Sequence, residues 1–259
     1  VSEVVAILIP VYNAVSTICT TLESVRRQTA FRHNGGNLRG KLVLVNNNST
    51  DGTFESEAFL DVLKKLESLD GFEETSILFC REAGIVPALN TGVFEILSLR
   101  NQSGNSKYNF IARLDADDIW EDDKLAKQFA FLQKHSDVSV LGTGLTLMNK
   151  AGEEVGALIH PVDDFAIKKS LMSGINALAH PSVIIQTDLF RRSGVYDPTF
   201  PFAEDLHLWL KALPWYKFAN LEEKLTRYTV SHNPNYNGAV AAQLSTLFKA
   251  AYSTFSYKA

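Results

Sequence analysis

The sequence predicts an α/β protein, a largely parallel β-sheet with helices on both faces. Three observations carry this reading. Apolar, β-branched runs alternate with segments whose apolar residues recur at helical spacing, in successive strand–helix units through the first half. Polar loops follow the first, second and fourth strands, at the sheet edge where open α/β folds hold ligands. The 259 residues, 46% of them apolar, suffice for a full core.

Val4 to Pro10 (VVAILIP) reads as the first strand, and Val15, Ile18, Cys19, Leu22 and Val25 as a helix with Ser16 at its N-cap. Lys41 to Val45 is the second strand. It runs into the loop Asn46-Asn47-Asn48-Ser49-Thr50-Asp51-Gly52-Thr53, then a helix with Phe54, Ala58, Val62, Leu66 and Leu69 on one side, stopped by Gly71. Ser76 to Cys80 is a third strand, followed after Gly84 and Pro87 by a helix over Ala88 to Leu99. A polar loop, Asn101 to Lys107, leads to strand four in FIARLDADD (Phe110 to Asp118). A helix from Asp123 to His135 then faces Leu125, Phe129 and Leu132 inwards.

Beyond Val138 the pattern becomes a mixed α+β half sharing the same sheet. Val138 to Leu147 and Glu154 to Ile159 predict a hairpin around Lys150-Ala151-Gly152. Phe165 to Met172 reads as a short helix, His180 to Ile185 as a strand, and Leu189 to Arg192 as a helical turn ending at Gly194. Asp205 to Leu213 is a helix with Leu206, Trp209, Leu210 and Leu213 apolar, followed by a strand near Leu225 to Val230 and a terminal helix from Ala239 to Phe255.

Lys and Arg number 25 against 29 Asp and Glu, a net charge of −4 that favours neither nucleic acid nor an anionic membrane. Negative substrates must then be held by metal or local dipoles. Cys19 and Cys80 sit where small buried side chains are expected and suggest neither a disulfide framework nor a zinc site. No apolar run approaches the roughly 18 to 20 residues of a membrane span, and the first strand starts too near residue 1 for a signal peptide. A start at Val1 reads as an excised domain. A cytoplasmic location is expected, with peripheral membrane attachment only through regions outside this chain.

FIARLDADD crowds Asp115, Asp117 and Asp118 into four positions. Their repulsion is relieved either by a divalent metal with phosphate oxygens as further ligands, or by solvent in an acidic turn capping the next helix. An EF-hand is excluded, because positions six and twelve from Asp115 are Trp120 and Ala126 rather than Gly and Glu. Tyr12, in the loop Val11-Tyr12-Asn13, offers a ring for a nucleobase or is a half-buried core tyrosine. Asn46 or Asn47 offers an amide that donates and accepts at a base edge, although the loop also reads as a plain turn. At strand spacing Arg113 shares a face with Asp115, to hold a phosphate or to pair with an acid. Glu204 and Asp205 open a helix, where acids oppose the dipole, and after the rigid loop Asp197 to Pro201 one can also take a proton from a hydroxyl. His180 and His232 lie in loops beside strands. Each reads as structural, or, for His232, as a neutral imidazole completing the coordination Asp117 begins.

Six motifs in order, VVAILIPVYNA, LVNNNSTDGT, GIVPALNTGV, FIARLDADDIWEDDKLAKQ, HPSVII and FAEDLHLWLKA, resemble the family 2 glycosyltransferases of the GT-A fold over about residues 3 to 213. The resemblance implies a Rossmann-like, mostly parallel central sheet flanked by helices. Residues 1–259 would form a single domain, 1–118 its nucleotide-sugar half and 119–259 its acceptor and catalytic-base half. It implies an inverting transfer from a nucleotide sugar, first choice a UDP-sugar, dependent on Mg²⁺ or Mn²⁺, to a glycan, lipid-linked or protein acceptor. Asp115 and Asp117 match the DXD motif, Asp115 towards the ribose or sugar and Asp117 on the metal. Pro10, Val11, Tyr12, Asn13, Asn46, Asn47, Arg113 and Ala116 would line the donor site. Asp205, in the ED motif, would be the general base, with Glu204 and His180 on the acceptor side and His232 a second metal ligand, although the spacing of YTVSHNP departs from the commoner one. Asp118 and Asp122 would be helix N-terminal acids. The chain also departs at Asn46 and Asn47, where the family usually carries acids, one of which commonly reads the uracil imide. A sugar nucleotidyltransferase would want a Gly-rich loop that VYNAVS lacks, and a silent sugar-nucleotide-binding domain would not need both Asp117 and Asp205.

Overall fold

The computed structural model describes residues 3–31, 38–73, 75–101, 104 and 106–230. Strands β1 (Glu3–Val11), β2 (Leu38–Asn46), β3 (Ser76–Phe79) and β4 (Phe110–Arg113) pair in parallel in the order β3-β2-β1-β4. Helices α1 (Ile18–Arg26), α2 (Glu57–Glu67), α3 (Ile85–Ser98) and α4 (Lys124–Lys134) follow the four strands and cover the sheet. A central parallel strand is buried on both sides, so β1 is apolar at every position from Val5 to Val11. Val5, Ile7 and Ile9 pack with α1, α2 and α4 through Leu22, Phe59 and Leu125. Ala6 and Leu8 pack on the other face against Leu89 and Val93 of α3. There α3 sits so close that a Cβ on Gly92 would lie 2.2 Å from Leu8 Cδ1.

The mixed half extends the same sheet. Its elements are β5 (Ile119–Trp120), β6 (Val138–Met148), β7 (Glu154–Leu158), α5 (Asp164–Met172), β8 (Ile184–Gln186), α6 (Thr187–Ser193), α7 (Glu204–Ala212) and β9 (Lys217–Thr229). Beyond β4 the order is β8-β6-β9-β5, with β7 hairpinned onto β6. β8 runs antiparallel to both β4 and β6, and β9 runs parallel to β6 to its last residue while its end also pairs antiparallel with β5. Among the described residues no helix is long and apolar enough to cross a membrane.

Several element boundaries depart from expectation for local reasons. The N–H groups of Ala14 and Val15 are held by Thr53 Oγ1 and Asp51 Oδ2, residues 15–17 form a turn, and α1 begins only at Ile18. Ser16 is therefore not its N-cap; Thr17 is. In α2 the Ser56 hydroxyl accepts Phe59 N–H, and the buried face is Phe59, Val62, Leu63 and Leu66, leaving Ala58 exposed. Helix α3 begins at Ile85, since Pro87 falls in the first turn where its missing N–H is harmless. The expected strand from His180 starts as a 3-10 turn, His180–Ser182, before β8. β9 is far longer than its apolar stretch because it pairs along β6. The expected terminal helix, Ala239 to Phe255, lies outside the described residues.

Candidate active site

The carboxyl ends of β1, β2 and β4 converge, and their loops are bonded to one another. Asn13 N–H donates to Ser49 Oγ at 3.1 Å and Thr50 N–H to Asn13 Oδ1 at 2.8 Å, locking the Val11-Tyr12-Asn13 loop to the loop after β2. Asn13 and Asn48 take left-handed backbone angles, φ 47° and 63°, a conformation Asn tolerates better than most residues. Tyr12 is left 64% exposed beside a recess of about 500 Å³ that also takes in Pro10, Val11, Asn47, Asn48, Gly84 and Ile85. It is a surface ring and not a core tyrosine.

Asn46 and Asn47 are both buried. Asn46 Oδ1 accepts Ser49 N–H at 2.8 Å, closing the turn. Asn47 donates to the Glu82 carbonyl at 2.6 Å and accepts Gly84 N–H at 2.8 Å, joining the β3–α3 loop to the β2 loop. The Asn47 amide, expected at a base edge, thus has both ends engaged within the protein. That bridge needs a donor and an acceptor on one side chain, which an ionised aspartate cannot supply; this is a physical reason for asparagine here.

The acidic turn follows β4. Arg113 is buried and pairs with the Asp115 carboxylate, the acid-pairing alternative of the two its position offered, while its Nε has no hydrogen-bond partner among the described residues. Burial opposes the guanidinium charge, but Asp115 outweighs it and raises the Arg113 pKa. Asp117 is exposed on the turn, yet desolvation first and the Asp115 charge second push its carboxyl upwards. Asp118 turns the other way. It is buried, and its Oδ1 accepts Thr229 N–H at 2.8 Å at the end of β9. Neither Asp118 nor Asp122 serves a helix start: Asp123 is the N-cap of α4, and Asp122 pairs with Arg27 at 2.9 Å. No group of three acids, histidines or cysteines arranged to hold a metal occurs among the described residues. His232 lies outside them.

Across from the turn, Glu204 and Asp205 open α7. Asp205 Oδ1 accepts Leu206 N–H and its Oδ2 accepts Asn176 Nδ2, both at 2.6 Å. These bonds favour the ionised form, yet burial dominates and raises its pKa. Burial, then the neighbouring Asp205 charge, pushes Glu204 up to about 8. His180 is buried with Nε2 2.9 Å from the Tyr196 hydroxyl, and burial followed by the Arg113 charge keeps its pKa well below the usual value, so it is neutral. Arg113, Asp115, His180, Glu204 and Asp205 line one cavity of about 680 Å³, which also takes in Asn176, Leu145, Leu147, Leu158, Phe202 and Tyr228. Gly84 and Ile85 border both this cavity and the recess beside Tyr12.

The raised acids fix a stability trend. An unfolded glutamate titrates near pH 4.3, so between about pH 5 and 8 the folded state keeps a proton on Glu204 that the unfolded chain has released. Stability is expected to fall as pH rises through that window, and Glu204→Gln to reduce the slope. Urea midpoints of both proteins at pH 5 and pH 8 check this; equal slopes would refute it.

Sequence reasoning missed Asn176, which orients Asp205, and a buried polar row along α1 and just past its end. Thr21, Ser24 and Gln28 bond along the chain from Ala116 to Leu125. Polar residues at i, i+3 and i+7 on an otherwise apolar helix face were the available signal.

A mostly parallel α/β sheet carries at its carboxyl edge a recess beside Tyr12 that shares Gly84 and Ile85 with an acid-lined cavity, the place where open α/β folds hold ligands. The family model described as "Glycosyl transferase family 2" matches residues 6–191, more than half of the chain. The chain belongs to glycosyl transferase family 2. It is 31% identical over 138 residues to the O-antigen biosynthesis glycosyltransferase WbnJ of Escherichia coli, covering 52% of this chain and 53% of WbnJ. Staphylococcus aureus TarS, solved with UDP-GlcNAc, superposes with a TM-score of 0.62 at 17% identity over 94% of this chain and 66% of the TarS chain. The mannosyltransferase PcManGT from Pyrobaculum calidifontis, solved with GDP-Man and Mn²⁺, superposes with a TM-score of 0.60 at 16% identity, over 98% of this chain and 75% of that one. The fold is the GT-A fold expected from the sequence. The chain spans about half the length of WbnJ and just under two thirds of the TarS chain.

Proposed function

We propose that this chain transfers a sugar from a UDP-sugar to an acceptor hydroxyl with inversion, Asp205 acting as general base. The observation supporting this most is that Asp115 and Arg113 on the donor side share one cavity with Glu204 and Asp205. In this reading Tyr12 stacks on the base, Pro10, Val11 and Asn47 line the recess around it, and Asn13 and Asn46, which lie outside its lining, hold the loops that form it. Arg113 holds Asp115 in place towards the ribose or sugar, and its Nε is left to a donor oxygen. The backbone at Ala116 carries the turn between the two acids of the motif.

The donor set fits a hard divalent cation. Asp117 and Asp115 present carboxylate oxygens on an open turn, while Asp118 is committed to β9. Asp117 would hold Mg²⁺ or Mn²⁺, with His232 a further ligand on the sequence reading, while Asp115 stays paired with Arg113 on the sugar side. Such a cation neutralises charge developing on the leaving diphosphate. On the other side Asp205, oriented by Asn176 and Leu206 N–H, accepts the proton of the acceptor hydroxyl as it attacks. Neutral His180 and Glu204 line the acceptor side. A single displacement between opposed groups inverts the anomeric centre.

TarS binds UDP-GlcNAc and PcManGT binds GDP-Man, so the base is the point to test. Titration calorimetry of UDP, GDP and dTDP, each with Mn²⁺, is expected to give the tightest binding for UDP. Binding of GDP alone would reverse the donor assignment.

A further inference from the structure

Three successive carbonyls of the acidic turn, at Ala116, Asp117 and Asp118, are each held by a threonine from a distant element. The Thr21 hydroxyl on α1 lies 3.0 Å from the Ala116 oxygen and 2.9 Å from the Asp118 oxygen, its one proton shared between them. Thr229, the last residue of β9, donates its hydroxyl to the Asp117 oxygen at 2.6 Å. Its N–H meets Asp118 Oδ1 at 2.8 Å. A turn bearing three carboxylates tends to spread under its own charge. Here its backbone is pinned from two sides, and the third carboxylate is drawn away from the other two.

These contacts do more than join elements. β9 is already secured by its ladder, which pairs Tyr228 with Leu147 and Thr229 with Met148. The Thr229 hydroxyl adds nothing to that ladder. It goes instead to the carbonyl of Asp117, the one residue of the three whose side chain is exposed. Partners of this kind, acting on the group that carries a ligand, set the ligand's orientation.

We propose that Thr229, with Thr21 opposite, is a positioning residue that fixes Asp117 for capture of a divalent cation together with a nucleoside diphosphate. The inference rests on the donor site proposed above. The hydroxyl is the part that matters: Thr229→Val removes it at nearly constant shape, and Thr229→Ser keeps it.

Three measurements on the full chain decide it. In calorimetric titration of UDP with Mn²⁺, Thr229→Val should bind about 10-fold more weakly than wild type, and Thr229→Ser should match wild type. Amide exchange at Asp117 and Asp118 should quicken in Thr229→Val alone. Urea midpoints of the two variants should agree, which separates positioning from loss of fold. Unchanged affinity in Thr229→Val, or equal losses in both variants, would overturn the proposal. If wild type captured no nucleotide with Mn²⁺, the donor reading would fall, and amide exchange would still decide the clamp: faster only in Thr229→Val upholds it, unchanged refutes it.

Discussion

Asp205→Asn is expected to lower kcat about 10²- to 10⁴-fold while leaving the binding of UDP with Mn²⁺ unchanged. The substitution keeps size and polarity, removes the capacity to accept a proton as an anion, and sets an amide NH₂ against one of the two donors that now meet the carboxylate. Asp205 already accepts from Leu206 N–H and Asn176 Nδ2, which orient both oxygens and leave lone pairs for an incoming hydroxyl. Burial raises its pKa, so the carboxylate is a stronger base than one on an open surface. Transfer assays with a panel of UDP-sugars and acceptors, beside calorimetry of the same variant, test both halves. Retained turnover would remove Asp205 from the base role and move attention to Glu204. A matching loss of UDP binding would mean instead that the variant disturbs the cavity as a whole.

Most of the parallel half was legible because its signals are local. A central parallel strand buried on both faces is apolar throughout, as from Val5 to Val11, and the helices beside it repeat at their own period. The turns after β1, β2 and β4 were equally visible, since Asn, Asp, Ser and Gly cluster there. What stayed hidden depends on partners far along the chain. β9 runs from Lys217, though Glu222, Glu223 and Lys224 are polar and exposed, because β6 supplies its ladder. Asp118 looked like a helix-start acid until Thr229 was found on its carboxylate, 111 residues away. Asn47 offered an amide to a base, and only the Glu82 and Gly84 backbone atoms reveal that the amide is engaged. Arg113 and Asp115 were the favourable case: Asp115 stands two residues on, just past the end of β4, strand spacing puts the two on one side, and they pair.

Asp117→Ala should separate function from stability more sharply than any other substitution in the site. Asp117 is exposed, makes no side-chain ion pair among the described residues, and is pushed upwards by desolvation and by Asp115. Removing it relieves like-charge crowding, and the Thr229 hydroxyl still finds the same backbone carbonyl. The urea midpoint should therefore stay level or rise, as expected where an active site carries charge the fold does not need. Catalysis should respond in the opposite direction. If Asp117 holds the cation that neutralises the departing diphosphate, transfer should fall about 10²- to 10³-fold, the scale seen when one group stabilising transition-state charge is lost. Calorimetry supplies the second readout: added Mn²⁺ should tighten UDP binding in wild type and leave it unaltered in Asp117→Ala. A variant that still responds to Mn²⁺ would place the cation on other residues. A variant that loses stability along with activity would mean that Asp117 supports the turn, in which case the pinning of its carbonyl by Thr229 would have to be read as a structural contact.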